Sequence, residues 1–163
     1  DRRQRQMCIR DRYMASLWRA RLPLTITRPF NYTGVGQSES FLVPKIVAHF
    51  RRRDSVIELG NLDVARDFSD VRFVASAYRA LVETPAAVGE AVNICSGEVH
   101  SLADVVRMCE EITGHHIEVR VNPDFVRANE VKVLKGDGSR LERLIGPLRR
   151  TAFRDTLKWM LTA

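Results

Sequence analysis

Apolar and polar positions along the chain alternate between two periods, and the alternation itself sketches a fold. Residues 22–27 (Leu-Pro-Leu-Thr-Ile-Thr) are rich in branched side chains and predict a short strand. The stretch after it, punctuated by Pro29, Gly34 and Gly36, reads as a loop. Between residues 41 and 52, apolar residues fall at 42, 43, 46, 47 and 50, close to the 3.6-residue period of a helix. Residues 56–59 predict a strand ended by Gly60-Asn61. The clearest helix covers 71–82, with residues 71, 74, 75, 78, 81 and 82 on one apolar face. Residues 91–95 predict another strand, closed by Ser96-Gly97. Ser101-Leu102-Ala103-Asp104 has the form of a capping box and opens a helix to about Thr113, where Gly114 is the stop. Residues 117–121 alternate as a strand does; Asp137 or Ser139 can cap a short helix to Leu144, and a last helix is expected over 153–161. Strands alternating with helices predict an α/β domain.

The beginning of the chain breaks this pattern. Residues 13–22 have helical apolar spacing, with Pro23 expected to stop the helix, but residues 1–12 show no period. Those twelve residues hold five Arg and two Asp, a net +3 that is half of the chain's formal +6. They read either as a disordered basic tail or as sequence foreign to the rest of the chain. The domain proper is expected to occupy 13–163.

Composition narrows the function classes. At 163 residues, 45% hydrophobic and 28% charged, the chain has the make-up of one globular domain. No apolar run reaches the roughly 20 residues of a membrane span, and the first residues do not form a secretory signal. Cys8, Cys95 and Cys109 lack Cys-x-x-Cys spacing, which argues for a reducing cytoplasm and against structural zinc. His49, His100, His115 and His116 are scattered and suggest neither a metal site nor a triad. Basic runs without interleaved aromatics do not make a nucleic-acid surface.

Four places could carry chemistry. Asn31 stands beyond the first predicted strand, where open α/β sheets bind ligands, and offers a donor and an acceptor; a Pro-Asn turn is the account that the local residues alone favour. Lys45, one turn inside a helix, could meet a phosphate or simply be solvated. Arg66 suits bidentate grip of a phosphate, or forms a surface neighbour pair with Asp67. Arg127 and Glu130, in a loop-like region, fit a diphosphate and ribose hydroxyls, or a merely charged loop. Gly34-Val35-Gly36 is a weak phosphate loop, because no helix with a third glycine follows it.

Five segments taken in order resemble the carboxy-terminal half of the extended short-chain dehydrogenases/reductases, the NAD-dependent epimerase/dehydratase family. They are the run from Leu22 through Arg28-Pro29-Phe30-Asn31 to Gln37, Phe41-Leu42-Val43-Pro44-Lys45-Ile46, Leu59-Gly60-Asn61-Leu62-Asp63 with Arg66-Asp67-Phe68, Val92-Asn93-Ile94-Cys95-Ser96-Gly97, and Arg127-Ala128-Asn129-Glu130-Val131 with Gly136-Asp137. Within the family the chain is most similar to the GDP-4-keto-6-deoxymannose reductases and GDP-mannose 4,6-dehydratases. The resemblance implies part of an NAD(P)-binding Rossmann-like parallel sheet plus a small α/β substrate-binding lobe. It implies a cytoplasmic oxidoreductase reducing the C4 ketone of a GDP-linked deoxyhexose, or alternatively a dehydratase or epimerase, with a homodimer as the parent assembly.

By the same resemblance, Pro29 and Phe30 would lie against the nicotinamide end of the cofactor. Asn31, Lys45, Arg66 and Arg127 would hold the diphosphate or guanosine, with Asn61 and Leu62 near the base and Glu130 at the ribose. The family's Tyr-x-x-x-Lys catalytic pair does not occur in this sequence, nor does the Gly-rich turn that binds most of the NAD(P). The expected chain is therefore inactive by itself: half of an enzyme, or a binding module that kept the nucleotide-sugar pocket.

Overall fold

The computed structural model describes residues 2–19, 21–126 and 130–163, with side chains from residue 9 onward. Helix α1 spans Arg2–Trp18. Residues 2–12 are helical and continuous with the helix expected from residue 13. Arg, Gln and Met are good helix formers, so this segment needs no apolar period to be helical. α1 leaves Ile9, Tyr13, Met14, Leu17 and Trp18 exposed, and it ends before Pro23 is reached.

Strands β1 (Ile26–Pro29) and β2 (Asn31–Thr33) come next, with only Phe30 between them. The loop expected over 28–37 is therefore in part strand. α2 covers Leu42–Arg52 and buries Val43, Ile46, Val47 and Phe50. Its Pro44 sits in the first turn, where a missing N–H costs nothing. β3 (Val56–Leu59), β4 (Ala65–Asp70) and α3 (Val71–Glu83) come after it, then β5 (Ala91–Ile94), β6 (Val99–Ser101) and α4 (Leu102–Thr113). The capping box at Ser101 and Asp104 is reciprocal, and Gly114 closes α4 in the left-handed conformation. β7 (Glu118–Val121), β8 (Val133–Leu134), α5 (Ser139–Ile145) and α6 (Phe153–Thr162) complete the chain.

β4 organises the strands. Its second half pairs in parallel with β2, while its first half pairs antiparallel with β6 and parallel with β8. Two parallel pairs flank this group: β1 with β5, and β3 with β7. Two cores result. One gathers α2, α4 and α6 over β3, with Ile46, Phe50, Ile57, Leu59, Val105 and Leu157 at its centre. The other packs α3 and α5 on β5 through Ala77, Leu81, Val92, Ile94 and Leu141. This is the mixed α/β organisation expected: a portion of parallel sheet with its helices, and a smaller lobe beside it.

Gly34 is buried where α3 and α6 meet. A Cβ there would come 2.5 Å from Val71 Cγ1 and 3.2 Å from the Trp159 ring. This glycine makes room for helix packing, which accounts for it without a phosphate loop.

Candidate functional site

A cavity of about 790 Å³ opens where β2, the start of α2, the end of β3 and β4 converge. Phe30, Asn31, Lys45, Asn61, Arg66 and Glu130 all line it. Residues 100 positions apart in sequence are thus brought to one wall. Pro29 lies outside the lining, exposed at the end of β1. Leu62 also lies outside it: its side chain packs against the core under α2 and α4, and its carbonyl accepts from Ala103 N at 3.2 Å. Arg127 falls outside the described residues.

Arg66 and Asp67 are not the surface pair that adjacency suggested. They are strand neighbours in β4, and successive strand residues point to opposite faces. The Arg66 guanidinium donates to the carbonyls of Ala65 (2.9 Å) and Val131 (2.7 Å), and through Nη2 to Glu130 Oε1 at 3.2 Å. Both partners of this ion pair are about four-fifths buried, with 18% and 20% side-chain exposure. Arg66 thereby carries a positive charge to the cavity wall and fastens the irregular segment before β8 that presents Glu130.

Asp67 turns the other way and is fully buried. Its Oδ1 accepts from Ser96 N (2.8 Å) and Ser96 Oγ (2.6 Å). Its Oδ2 accepts from Gly97 N (2.9 Å) and Gly136 N (3.2 Å). One carboxylate thus ties β4 to the turn after β5 and to the segment before α5. Next to it, Cys95 is pressed under Gly136, and burial, reinforced by the Asp67 charge, pushes its thiol pKa up to about 11. Cys95 is a packing residue with no nucleophilic character at neutral pH. Asp67 carries little signal in the sequence: it is a carboxylate inside a strand, and Ala65–Asp70 shows no alternating pattern.

Lys45 points from α2 toward the end of β3, where its Nζ donates to the Glu58 carbonyl at 2.8 Å and lies 4.7 Å from the centroid of the Phe125 ring. Asn31 Nδ2 donates to the Asp67 carbonyl at 3.4 Å. The cavity lining therefore offers two cations (Lys45 and Arg66), three carboxylates (Glu58, Asp124 and Glu130), three side-chain amides (Asn31, Gln37 and Asn61) and three half-exposed aromatic rings, Tyr32, Phe41 and Phe125. The two cations suit a phosphate, the carboxylates and amides suit hydroxyls, and the rings suit a flat group. Among the described residues, no group of three or more His, Cys, Asp or Glu side chains could hold a metal.

Asp70, at the other end of β4, caps α3 by accepting from Arg72 N at 2.7 Å. Burial works to raise its pKa. The bidentate Arg72 guanidinium, Arg72 N–H and the Thr156 hydroxyl outweigh burial and hold the carboxyl below its ordinary value. This end of the strand is structural, and it fixes where β4 presents Arg66.

Comparisons with known proteins identify the family. The sequence profile of the GDP-mannose 4,6 dehydratase family matches residues 11–160. A GDP-6-deoxy-D-talose 4-dehydrogenase from Aggregatibacter actinomycetemcomitans is 38% identical over 138 residues, covering 84% of this chain and 47% of that protein. The crystal structure of a protein described as a candidate epimerase, from Burkholderia cenocepacia J2315, superposes with a TM-score of 0.89 at 51% identity, over 93% of this chain and 50% of that one. The structure of RMD from Pseudomonas aeruginosa complexed with NADPH gives a TM-score of 0.84 at 25% identity, over 92% and 52% respectively. The chain spans about half the length of the relatives it matches. By fold, by motif order and by this match, the chain belongs to the GDP-mannose 4,6-dehydratase family of NAD-dependent nucleotide-sugar enzymes, within the extended short-chain dehydrogenases/reductases.

Proposed function

We propose that this chain supplies the sugar-nucleotide-binding part of an NAD(P)-dependent oxidoreductase that reduces the C4 ketone of GDP-4-keto-6-deoxymannose. The observation that carries the reading is the convergence of Asn31, Lys45, Asn61, Arg66 and Glu130 on one cavity. The similarity to a 4-dehydrogenase of a GDP-6-deoxyhexose favours chemistry at C4 of the same class of substrate.

In this reading Lys45, Arg66 and Arg127 hold the diphosphate. Glu130 accepts from the ribose hydroxyls, and in turning to them it frees Nη2 of Arg66 for a phosphate oxygen. Asn31 orients the sugar end, and Asn61 the base. Phe30, at the carboxyl end of β1 and on the cavity lining, is the residue of this chain that fits against a nicotinamide ring, with exposed Pro29 before it. The cofactor, which supplies the hydride, would be held mainly by residues that this sequence does not contain. No Tyr-x-x-x-Lys pair is present, so the chain's own share of the chemistry is binding and orientation.

Calorimetric titration of the purified chain with GDP tests this. GDP is expected to bind, with affinity falling as salt rises, and Arg66→Met to weaken it about tenfold, the worth of one lost charge-assisted hydrogen bond. NADPH oxidation with GDP-4-keto-6-deoxymannose is expected to stay at background. Absence of GDP binding at millimolar concentration, or clear turnover by the chain alone, would overturn the proposal.

A further inference from the structure

Phe125 plays no part in that binding scheme, yet the fold positions it with care. It closes a short 3-10 turn, Pro123–Phe125, after β7. Asn122 pins that turn to the end of β3: its N–H donates to the Leu59 carbonyl at 2.8 Å and its Nδ2 to Glu58 Oε2 at 2.9 Å. The turn sits so close that a Cβ on Gly60 would lie 2.7 Å from the Phe125 carbonyl and 3.4 Å from its Cβ. Only a glycine at 60 admits it. A phenylalanine clamped to the backbone in this way would ordinarily be buried; this one is 49% exposed and lines the cavity.

Its surroundings indicate what it faces. The Lys45 ammonium lies 4.7 Å from the ring centroid. Asn61 comes directly after Gly60 and lines the same part of the cavity. Its side-chain amide has no hydrogen-bond partner among the described residues. A rigid aromatic face beside an unspent donor–acceptor pair and a cation is the arrangement that receives a nucleobase: the ring stacks, the amide meets the base edge, and the cation lies toward the first phosphate.

We propose that Phe125 is the stacking platform for the nucleobase, with Gly60 as the residue that lets the platform close onto β3. The inference rests on the nucleotide-sugar reading and narrows it, because it assigns the base to the β3–β7 end of the cavity and leaves the sugar for the Phe30 end.

The test is calorimetric titration of the wild-type chain, Phe125→Ala and Phe125→Trp, each with GDP and with inorganic pyrophosphate. An exposed side chain on a surface turn can be truncated without unfolding the chain, and circular dichroism of each variant checks this. Phe125→Ala is expected to lose GDP affinity about tenfold or more, since base–aromatic stacking accounts for that much, and to bind pyrophosphate as the wild type does. Phe125→Trp is expected to hold GDP at least as tightly as the wild type. Unchanged GDP binding in Phe125→Ala overturns the platform and leaves the nucleotide-sugar reading standing. An equal loss of pyrophosphate binding also overturns it, because the ring would then act only by holding Lys45. A wild-type chain that binds no GDP removes the nucleotide-sugar reading itself, and the platform with it.

Discussion

Replacing Asp67 by Asn tests whether one buried carboxylate joins the two halves of the structure. The substitution keeps size and shape but turns one acceptor oxygen into a donor. With Oδ1 still facing Ser96, the new amide nitrogen confronts the N–H groups of Gly97 and Gly136, which donate to Oδ2 at 2.9 and 3.2 Å. Two hydrogen bonds are lost and two backbone donors are left facing a third. Flipping the amide only moves the mismatch to Ser96 N. Hydrogen bonds to a charged acceptor are worth about 1.5–3 kcal/mol each. Part of that loss is offset because a neutral amide is less costly to bury than a carboxylate. The net destabilisation is about 3 kcal/mol, a large part of the roughly 5–15 kcal/mol by which domains are stable. In urea, with a slope of about 2 kcal/mol per molar, the midpoint should fall by about 1.5 M with little change in slope. The exposed Asp63→Asn serves as the control and should leave the midpoint in place. A fall of less than about 0.5 M in Asp67→Asn would refute the assignment of Asp67 as the tie between β4, the Ser96 turn and the segment before α5.

The same geometry sets other outcomes. Gly136→Ala would set a Cβ 2.5 Å from Cys95 Cβ and 2.6 Å from Sγ; such overpacking costs about 1–3 kcal/mol in unfolding experiments. Adding Cys95→Ala should not restore stability, because the Cβ contact persists, and full rescue would count against a steric origin at that atom. Asp104 is held at about 2 by the Ser101 hydroxyl first and Arg107 next. Its contribution is fully present above the ordinary carboxylate pKa near 4 and is lost as pH falls toward 2. The stability gap between wild type and Asp104→Asn should therefore be flat above about pH 5 and narrow between pH 4 and 2; a gap that widens on acidification would refute the sign. Burial pushes Cys95 to about 11 and Cys109 to about 12. Peptide mapping after iodoacetamide treatment at pH 8 should find both unmodified in the native chain and both modified in urea, and rapid native labelling of Cys95 would contradict its packing under Gly136.

Much of the fold is local, and local structure is what a sequence displays. α2, α3, α4 and α6 fall where apolar spacing predicts them, because a helix buries one stripe and the stripe recurs every 3.6 residues. The α4 capping box is visible because both of its partners lie within one turn. β3, β5 and β7 show as branched runs between turn residues. The family, too, is legible, since its motifs are short strings at the carboxyl ends of strands. α1 differs: its helix reaches back to Arg2 through residues with no apolar stripe, so helix propensity had to be weighed where periodicity was silent.

What the sequence by itself determined is which residue types stand ready: Asn31, Lys45, Arg66 and Glu130 are all named by motif. Tertiary structure alone decided their company. β4 shows no alternating pattern in the sequence, and all its backbone partners are distant: in register, Ala65 meets Val133 of β8 and Asn31 of β2 meets Phe68. Only its pairing sends Arg66 to the cavity and Asp67 into the core on opposite faces of one strand. Leu62 and Asn61 are neighbours in the chain, yet one is core and the other cavity wall. Phe125 acquires a role only because Gly60, far earlier in the chain, leaves room for its turn. Propensity and periodicity act over a few residues, whereas a site is made where distant segments meet, and there packing and hydrogen-bond satisfaction choose the partners.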